Sequence, residues 1–301
     1  MDIIPDILRR MWFYAALLAS VVSGICIAIS KKTLANVSPA VFYWATTLIS
    51  TPFVVLLCIK TGLPELNRYF FIGVVGSVLL YNFSKIIAYK VIRDARLSSV
   101  YPIVALSPAF TLAASALPPL REWPGTLGAW GILVSIVGAY LLNVSSVRNG
   151  ILEPFRILFR DKLAILMLIS TAIVGIVSVA DKIAITGTIP KNVIFVVLME
   201  DILIVATVLP YLAVRHKNFL KEIRANFKPL LLVGTIITLS NVLGIFAIGY
   251  GNVAVVSAIL KSHVFFLLLL GYFFFGDKPR TETILGTIIM VLGIVLMKMG
   301  S

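Results

Sequence analysis

The chain has 301 residues, of which 60% are hydrophobic and 13% charged, with a mean hydropathy of +1.04 and a formal net charge of +13. Soluble domains carry about a quarter charged residues, so this composition excludes an ordinary soluble domain and makes the number of membrane crossings the first question. The basic residues are scattered at the ends of apolar runs rather than gathered on one polar face, which points to membrane topology and not to nucleic acid.

A helix needs roughly 20 apolar residues to cross a bilayer core. Ten runs meet that length, at about 11–30, 39–59, 69–91, 98–118, 124–144, 163–182, 190–214, 229–249, 253–275 and 281–299. The first follows Arg9-Arg10, but it is too long for a secretory signal and lacks a small-x-small cleavage pattern, so it reads as a retained helix. Cys26 and Cys58 fall in runs one and two and make neither a disulfide framework nor a metal site. Run one also carries Ser20 and ends at Ser30-Lys31. Run three has a polar stripe of Ser77, Tyr81, Asn82 and Lys85. Glu122-x-Pro124 precedes run five; an acid favours a helix N-terminus and proline fits the first turn. The connection from Ser145 to Asp161 is the one long enough to be a linker, and its segment 151–159 suits an interfacial position.

Run six carries Thr171, Ser178 and Asp181 and ends at Lys182. Run seven holds Glu200 and Asp201 near mid-depth, with apolar Val196, Val197, Leu203 and Ile204 one turn away. Run eight has Thr235, Thr238 and Asn241, and run nine has Lys261 and His263 near its middle. Runs five and ten carry glycines seven apart, Gly131 with Gly138 and Gly286 with Gly293, which places each pair on one face as a packing seam.

The second half of this order repeats the first. Gly24 and Ser30-Lys31 fall on Gly175 and Asp181-Lys182, Asn82 and Ala88 on Asn241 and Ala247. Ser107, Glu122, Pro124, Gly131 and Gly138 fall on Ser262, Asp277, Pro279, Gly286 and Gly293. Each half holds five spans, an odd number, so tandem copies insert in opposite orientations. The expected fold is therefore all-α and integral to the membrane, with ten transmembrane helices in two inverted five-helix repeats, residues 1–150 and 151–301. Self-similar membrane halves with a binding site between them are the pattern of many secondary transporters.

An ionised side chain in hydrocarbon costs about 2.5–3.5 kcal/mol on insertion scales, which makes the mid-span charges candidates for a site. Lys261 shares its helical face with Ser257 and Ala254, which suits a polar cavity. His263 lies about 200° away, on a face with Ile259, Phe266 and Leu270 that suits packing. The stripes on runs one, three, six and eight are wider than interhelical glue requires and share a water-filled cavity as a common destination. Snorkelling to the interface is the competing reading of Lys31, Lys182 and Lys85.

These features together resemble the drug/metabolite transporter superfamily, of the EamA-like ten-helix type. The resemblance is carried by Ser107-Pro108, Arg121-Glu122 and the glycines of run five, by Ser262, Gly276-Asp277 and the glycines of run ten, and by the lysine ends of runs one and six. His263 in place of a second proline and Asp277 in place of glutamate depart from the first-half pattern. The resemblance implies cytoplasmic termini, whereas positive-inside counting puts both termini outside.

Two histidines cannot furnish a histidine-rich metal site, and no nucleophile elbow, zinc-protease or phosphate-loop motif occurs. Neither an enzyme nor a cofactor is implied. The expected activity is alternating-access transport of a small metabolite, driven by an ion gradient, by exchange or by the solute's own gradient, in the cell membrane. Lys261, Asn82, Asn241, Ser257, Tyr81 and Lys85 are the candidate substrate contacts, with Asn82 and Asn241 as a symmetric pair. Glu200 and Asp201 are candidates for coupling to a proton or other ion. The alternative is a non-transporting lipid-binding or scaffold component built on the same repeat.

Overall fold

The computed structural model describes residues 3–95, 103–144, 161–266 and 281–300; the side chains of 3–10, 142–144 and 281–284 are not described. Asp277, Pro279, the segment 151–159 and the ends of runs four and nine lie outside the described residues. The chain is all-α apart from one two-residue strand pair. Its helices are α1 (Ile3–Leu34), α2 (Pro39–Thr61), α3 (Arg68–Asp94), α4 (Ser107–Ser115), α5 (Gly125–Val144), α6 (Lys162–Thr186), α7 (Val193–Arg215), α8 (Phe219–Ala225), α9 (Phe227–Tyr250), α10 (Val253–Lys261) and α11 (Thr281–Met299). Among the described residues, six helices are long and apolar enough to cross a membrane: α1 from Met11, α2, α3, α6, α7 and α9. Shorter apolar helices cover Gly125–Leu141, Val253–Phe266 and Leu285–Met299.

The outer surface is apolar, unlike that of a soluble fold, and polar side chains are buried alongside the apolar core. Leu79, Phe83, Leu133, Val137, Leu232 and Leu239 are exposed, while Ser77, Ser84, Thr171, Asp181, Glu200 and Asp201 are buried. Side chains pointing away from the bundle meet a solvent as apolar as they are, and each helix satisfies its own backbone, as lipid requires. The protein is a multi-pass membrane protein.

Helix starts follow local chemistry. Asn67, Asp161, Asn192 and Asn252 are N-caps whose side chains accept from backbone N–H groups at the starts of α3, α6, α7 and α10, each worth about 1 kcal/mol. Ser38 makes no such bond; Pro39 opens α2, and the Glu222 carboxylate of α8 accepts from the Ser38 amide instead.

Packing is organised by pairs running in opposite directions. Along α3 and α6, Phe70 meets Gly187, Ser77 meets Asp181 and Ser84 meets Ser170. Along α1 and α9, Trp12 meets Gly251 and Ser23 meets Ser240. Along α2 and α7, Thr61 meets Asn192, Ser50 meets Asp201 and Trp44 reaches the Val205 carbonyl. Strands β1 (Glu65–Leu66) and β2 (Thr188–Ile189) pair antiparallel, so the connection after α2 and the connection after α6 meet at the same end.

The α5–α11 seam runs through the glycines. A Cβ on Gly131 would lie 2.7 Å from the Gly293 carbonyl oxygen, and one on Gly293 would lie 2.7 Å from the Gly131 carbonyl oxygen. Backbone therefore packs directly on backbone. Gly131→Leu is expected to lower thermal stability in detergent micelles, at the upper end of the overpacking range of about 1–3 kcal/mol. Gly76→Ala, where a Cβ meets nothing within 4 Å, is expected to leave the melting temperature unchanged or slightly raised.

Candidate functional site

The site begins where helices end inside the bundle. α9 stops at Tyr250 and α10 starts at Val253, and this elbow frees backbone carbonyls away from water. Lys182 of α6 supplies the missing donors. Its ammonium donates to the carbonyls of Ile248 at 2.8 Å, Gly249 at 3.3 Å and Gly251 at 2.7 Å. A cation at a helix C-terminus also suits the helix dipole. Glu122 completes the device: one oxygen lies 3.4 Å from Lys182 Nζ and the other accepts from the Val253 amide at 3.1 Å. Lys31 does the corresponding work on α1, donating to the Ala95 carbonyl beyond α3 at 2.8 Å. Lys182 is thus a buried cap and not a snorkelling residue, and Glu122 serves the start of α10 rather than the helix that follows it in sequence.

Between these elbows lies a central cavity of about 290 Å³. It is lined by α1 (Ser23, Cys26, Ser30), α3 (Ser77, Tyr81, Lys85, Tyr89), α6 (Thr171, Ser178, Asp181), α7 (Glu200, Asp201), α9 (Ser240, Asn241) and the end of α10 (Lys261), with His263 just beyond. The polar stripes of four helices therefore share one destination.

The charges in the cavity are segregated. Asp181, Glu200 and Asp201 cluster where α3, α6 and α7 meet. Ser77 donates to Asp181 Oδ1 at 2.5 Å and Ser50 to Asp201 Oδ2 at 2.7 Å. Glu200 lies against Asp181 within hydrogen-bonding reach. Lys85 and Lys261 form the basic group. Lys85 sits 4.8 Å from the Tyr81 ring centroid and 5.5 Å from that of Tyr89, contacts worth about 2 kcal/mol or more when desolvated. No ion pair joins these acids to Lys85 or Lys261 among the described residues.

Five expected positions differ. Asn82 does not line the cavity; it accepts from the Tyr43 hydroxyl at 3.0 Å and donates to Thr207 at 2.9 Å, tying α3 to α2 and α7. It lies about 100° around α3 from Tyr81, and this offset breaks its pairing with Asn241. Ser257 is buried at the crossing of α4 and α10, where it accepts from Thr111 at 3.1 Å. Thr235 and Thr238 bond carbonyls of their own helix. His263 lines the cavity beside Lys261, because α10 ends at Lys261 and the next turn is tightened. The Ser262 amide bonds the Ile259 carbonyl and the Phe265 amide bonds that of Ser262, both three residues back, so a helical wheel does not carry across.

The EamA-like transporter family model matches residues 10–144 and 162–299. The chain belongs to the EamA-like transporter family. Members of this family are membrane transporters rather than enzymes, so a lipid bilayer and a small-molecule substrate come with membership. A solved structure shares the fold, with TM-score 0.69 and 14% identity over 97% of each chain. No curated protein matches the sequence.

Within this EamA-like chain, the Lys182–Glu122 device was the part hardest to read in advance. Its signal is the matched lysines at Lys31 and Lys182, each ending a first helix of a repeat. Lys182→Met removes the buried partner of Glu122 and the donor to three carbonyls, and is expected to cost about 3 kcal/mol of stability. Lys182→Met combined with Glu122→Gln is expected to cost less than the sum of the single variants, as measured by thermal unfolding in a double-mutant cycle.

Proposed function

We propose that the protein is a secondary transporter of a small metabolite in the cell membrane. It works by alternating access between two five-helix halves, residues 1–150 and 151–301, that hold ten spans inserted in opposite orientations. The observation that carries this reading is the cavity between the halves, into whose wall acids, lysines and other polar side chains are set, with the acids and lysines not paired. Opposite insertion is supported by α2 with α7 and α5 with α11, helices of equal rank in each half that run antiparallel. It is also supported by the β1–β2 pairing, which joins the second connection of one half to the first connection of the other.

Lys261, whose ammonium makes no hydrogen bond or ion pair among the described residues, contacts an anionic or zwitterionic substrate. Lys85, Tyr81 and Asn241 line the same volume and complete the contact set. Glu200 or Asp201 couples transport to a proton or other ion. With no phosphate-loop motif in the sequence, the driving force is an ion gradient, exchange or the solute gradient.

Purified protein in liposomes, offered labelled amino acids, sugars and nucleotides under imposed ion and pH gradients, tests the proposal. Uptake of at least one compound is expected, and Lys261→Ala and Glu200→Gln are expected to abolish it while inserting normally and remaining monodisperse. Near-normal uptake in both variants overturns the site. Movement of no compound under any gradient overturns the transporter reading.

A further inference from the structure

The contact between Asp181 and Glu200 has no counter-cation. Both carboxyls are buried, at 6% and 7% exposure. Ser77 donates to Asp181, but no side-chain or backbone donor among the described residues reaches Glu200 Oε1, which is fully buried. Two ionised carboxyls at contact distance repel, and burial removes the water that would screen them. A proton between them turns the contact into an O–H···O hydrogen bond and gives the orphaned oxygen a partner.

The other titratable groups around the pair are few and are held elsewhere. From α3 the pair faces Tyr81 and, farther along, Lys85; from α2 it faces Tyr43; from α7 itself, Asp201. α10 contributes Lys261 and His263 to the far part of the cavity, α1 contributes Cys26, and α4 and α9 line it with no titratable side chain among the described residues. Lys182, next to Asp181, is turned away and engaged by three carbonyls and Glu122. Asp201 is held by its own serine, Ser50. No group of three or more His, Cys, Asp or Glu with metal-site geometry exists among the described residues.

We propose that Asp181 and Glu200 together bind a single proton, held between the two carboxyls, and that this proton is the coupling ion. Asp181, on α6, and Glu200, on α7, are then one site with one titration, and Asp201 is a neighbour that does not share the proton. On release the proton leaves to water in the cavity and both carboxyls are left ionised, a state the segregated lysines or a cationic group of the substrate would balance. The coupling role rests on the transporter reading; the bound proton does not.

Infrared difference spectroscopy of the full-length protein in lipid, titrated between neutral and alkaline pH, separates the two. A protonated-carboxyl C=O band that shifts on deuteration is expected at neutral pH. Asp181→Asn and Glu200→Gln are each expected to abolish it, and Asp201→Asn to leave it. Ser77→Ala, which removes a hydrogen bond but no carboxyl, is expected to shift the band and not remove it, and so controls for misfolding. A band unchanged in both Asp181→Asn and Glu200→Gln overturns the proposal. So does a band lost on adding sodium chloride but not choline chloride, which assigns the site to sodium. In liposomes, wild-type uptake is expected to follow an imposed pH gradient and Asp181→Asn uptake to ignore it. Wild-type uptake that is indifferent to the pH gradient overturns the coupling role while the infrared band decides the proton.

Discussion

Ending a helix inside an apolar bundle leaves carbonyl groups with no water to receive, and the rest of this structure depends on how that is solved. At the elbow between α9 and α10 the answer is a buried lysine. Lys182 closes three carbonyls of one helix end while Glu122, from the other half of the chain, binds the first amide of the next helix. Irregular backbone at membrane depth is tolerated where protein buries it or where it lines a cavity. Here protein buries it, and α10 then runs on to Lys261, which lines the central volume.

The second constraint is the seam of α5 and α11. Glycines seven residues apart bring two backbones into contact, and each glycine of one helix faces the carbonyl of its opposite number. Ser50 and Asp201 likewise tie α2 to α7 by a hydrogen bond. With the periphery held by packing, the interior is free to carry polar groups that contribute little to stability.

That interior is polar in an ordered way. Three acids and two lysines share the cavity without an ion pair among the described residues, with Lys85 resting on aromatic rings instead of on a carboxylate. Unit charges about 4 Å apart interact by roughly 4 kcal/mol at an effective dielectric constant near 20. Keeping the two signs apart therefore withholds a sizeable attraction that a structural ion pair would have used. A cavity so arranged can exchange charge with what enters it.

Composition and periodicity were enough to read an all-α membrane protein with two similar halves, because hydrocarbon tolerates little else and an ancient duplication leaves glycines in register. They also brought out most of the cavity: Lys261, Tyr81, Lys85, Asn241, Glu200 and Asp201 all line it, since an intramembrane polar group has few other places to go. What the linear chain could not express was angle and partner. Asn82 looked equivalent to Asn241 but sits on a seam, one helical step from the cavity. His263 looked like a packing residue until a tightened turn at Ser262 brought it round. Asp181 read as one member of a polar stripe until α7 set Glu200 beside it. Burial against lipid is a property of each residue and is written locally, whereas hydrogen bonds between distant helices depend on rotation and depth that packing alone decides.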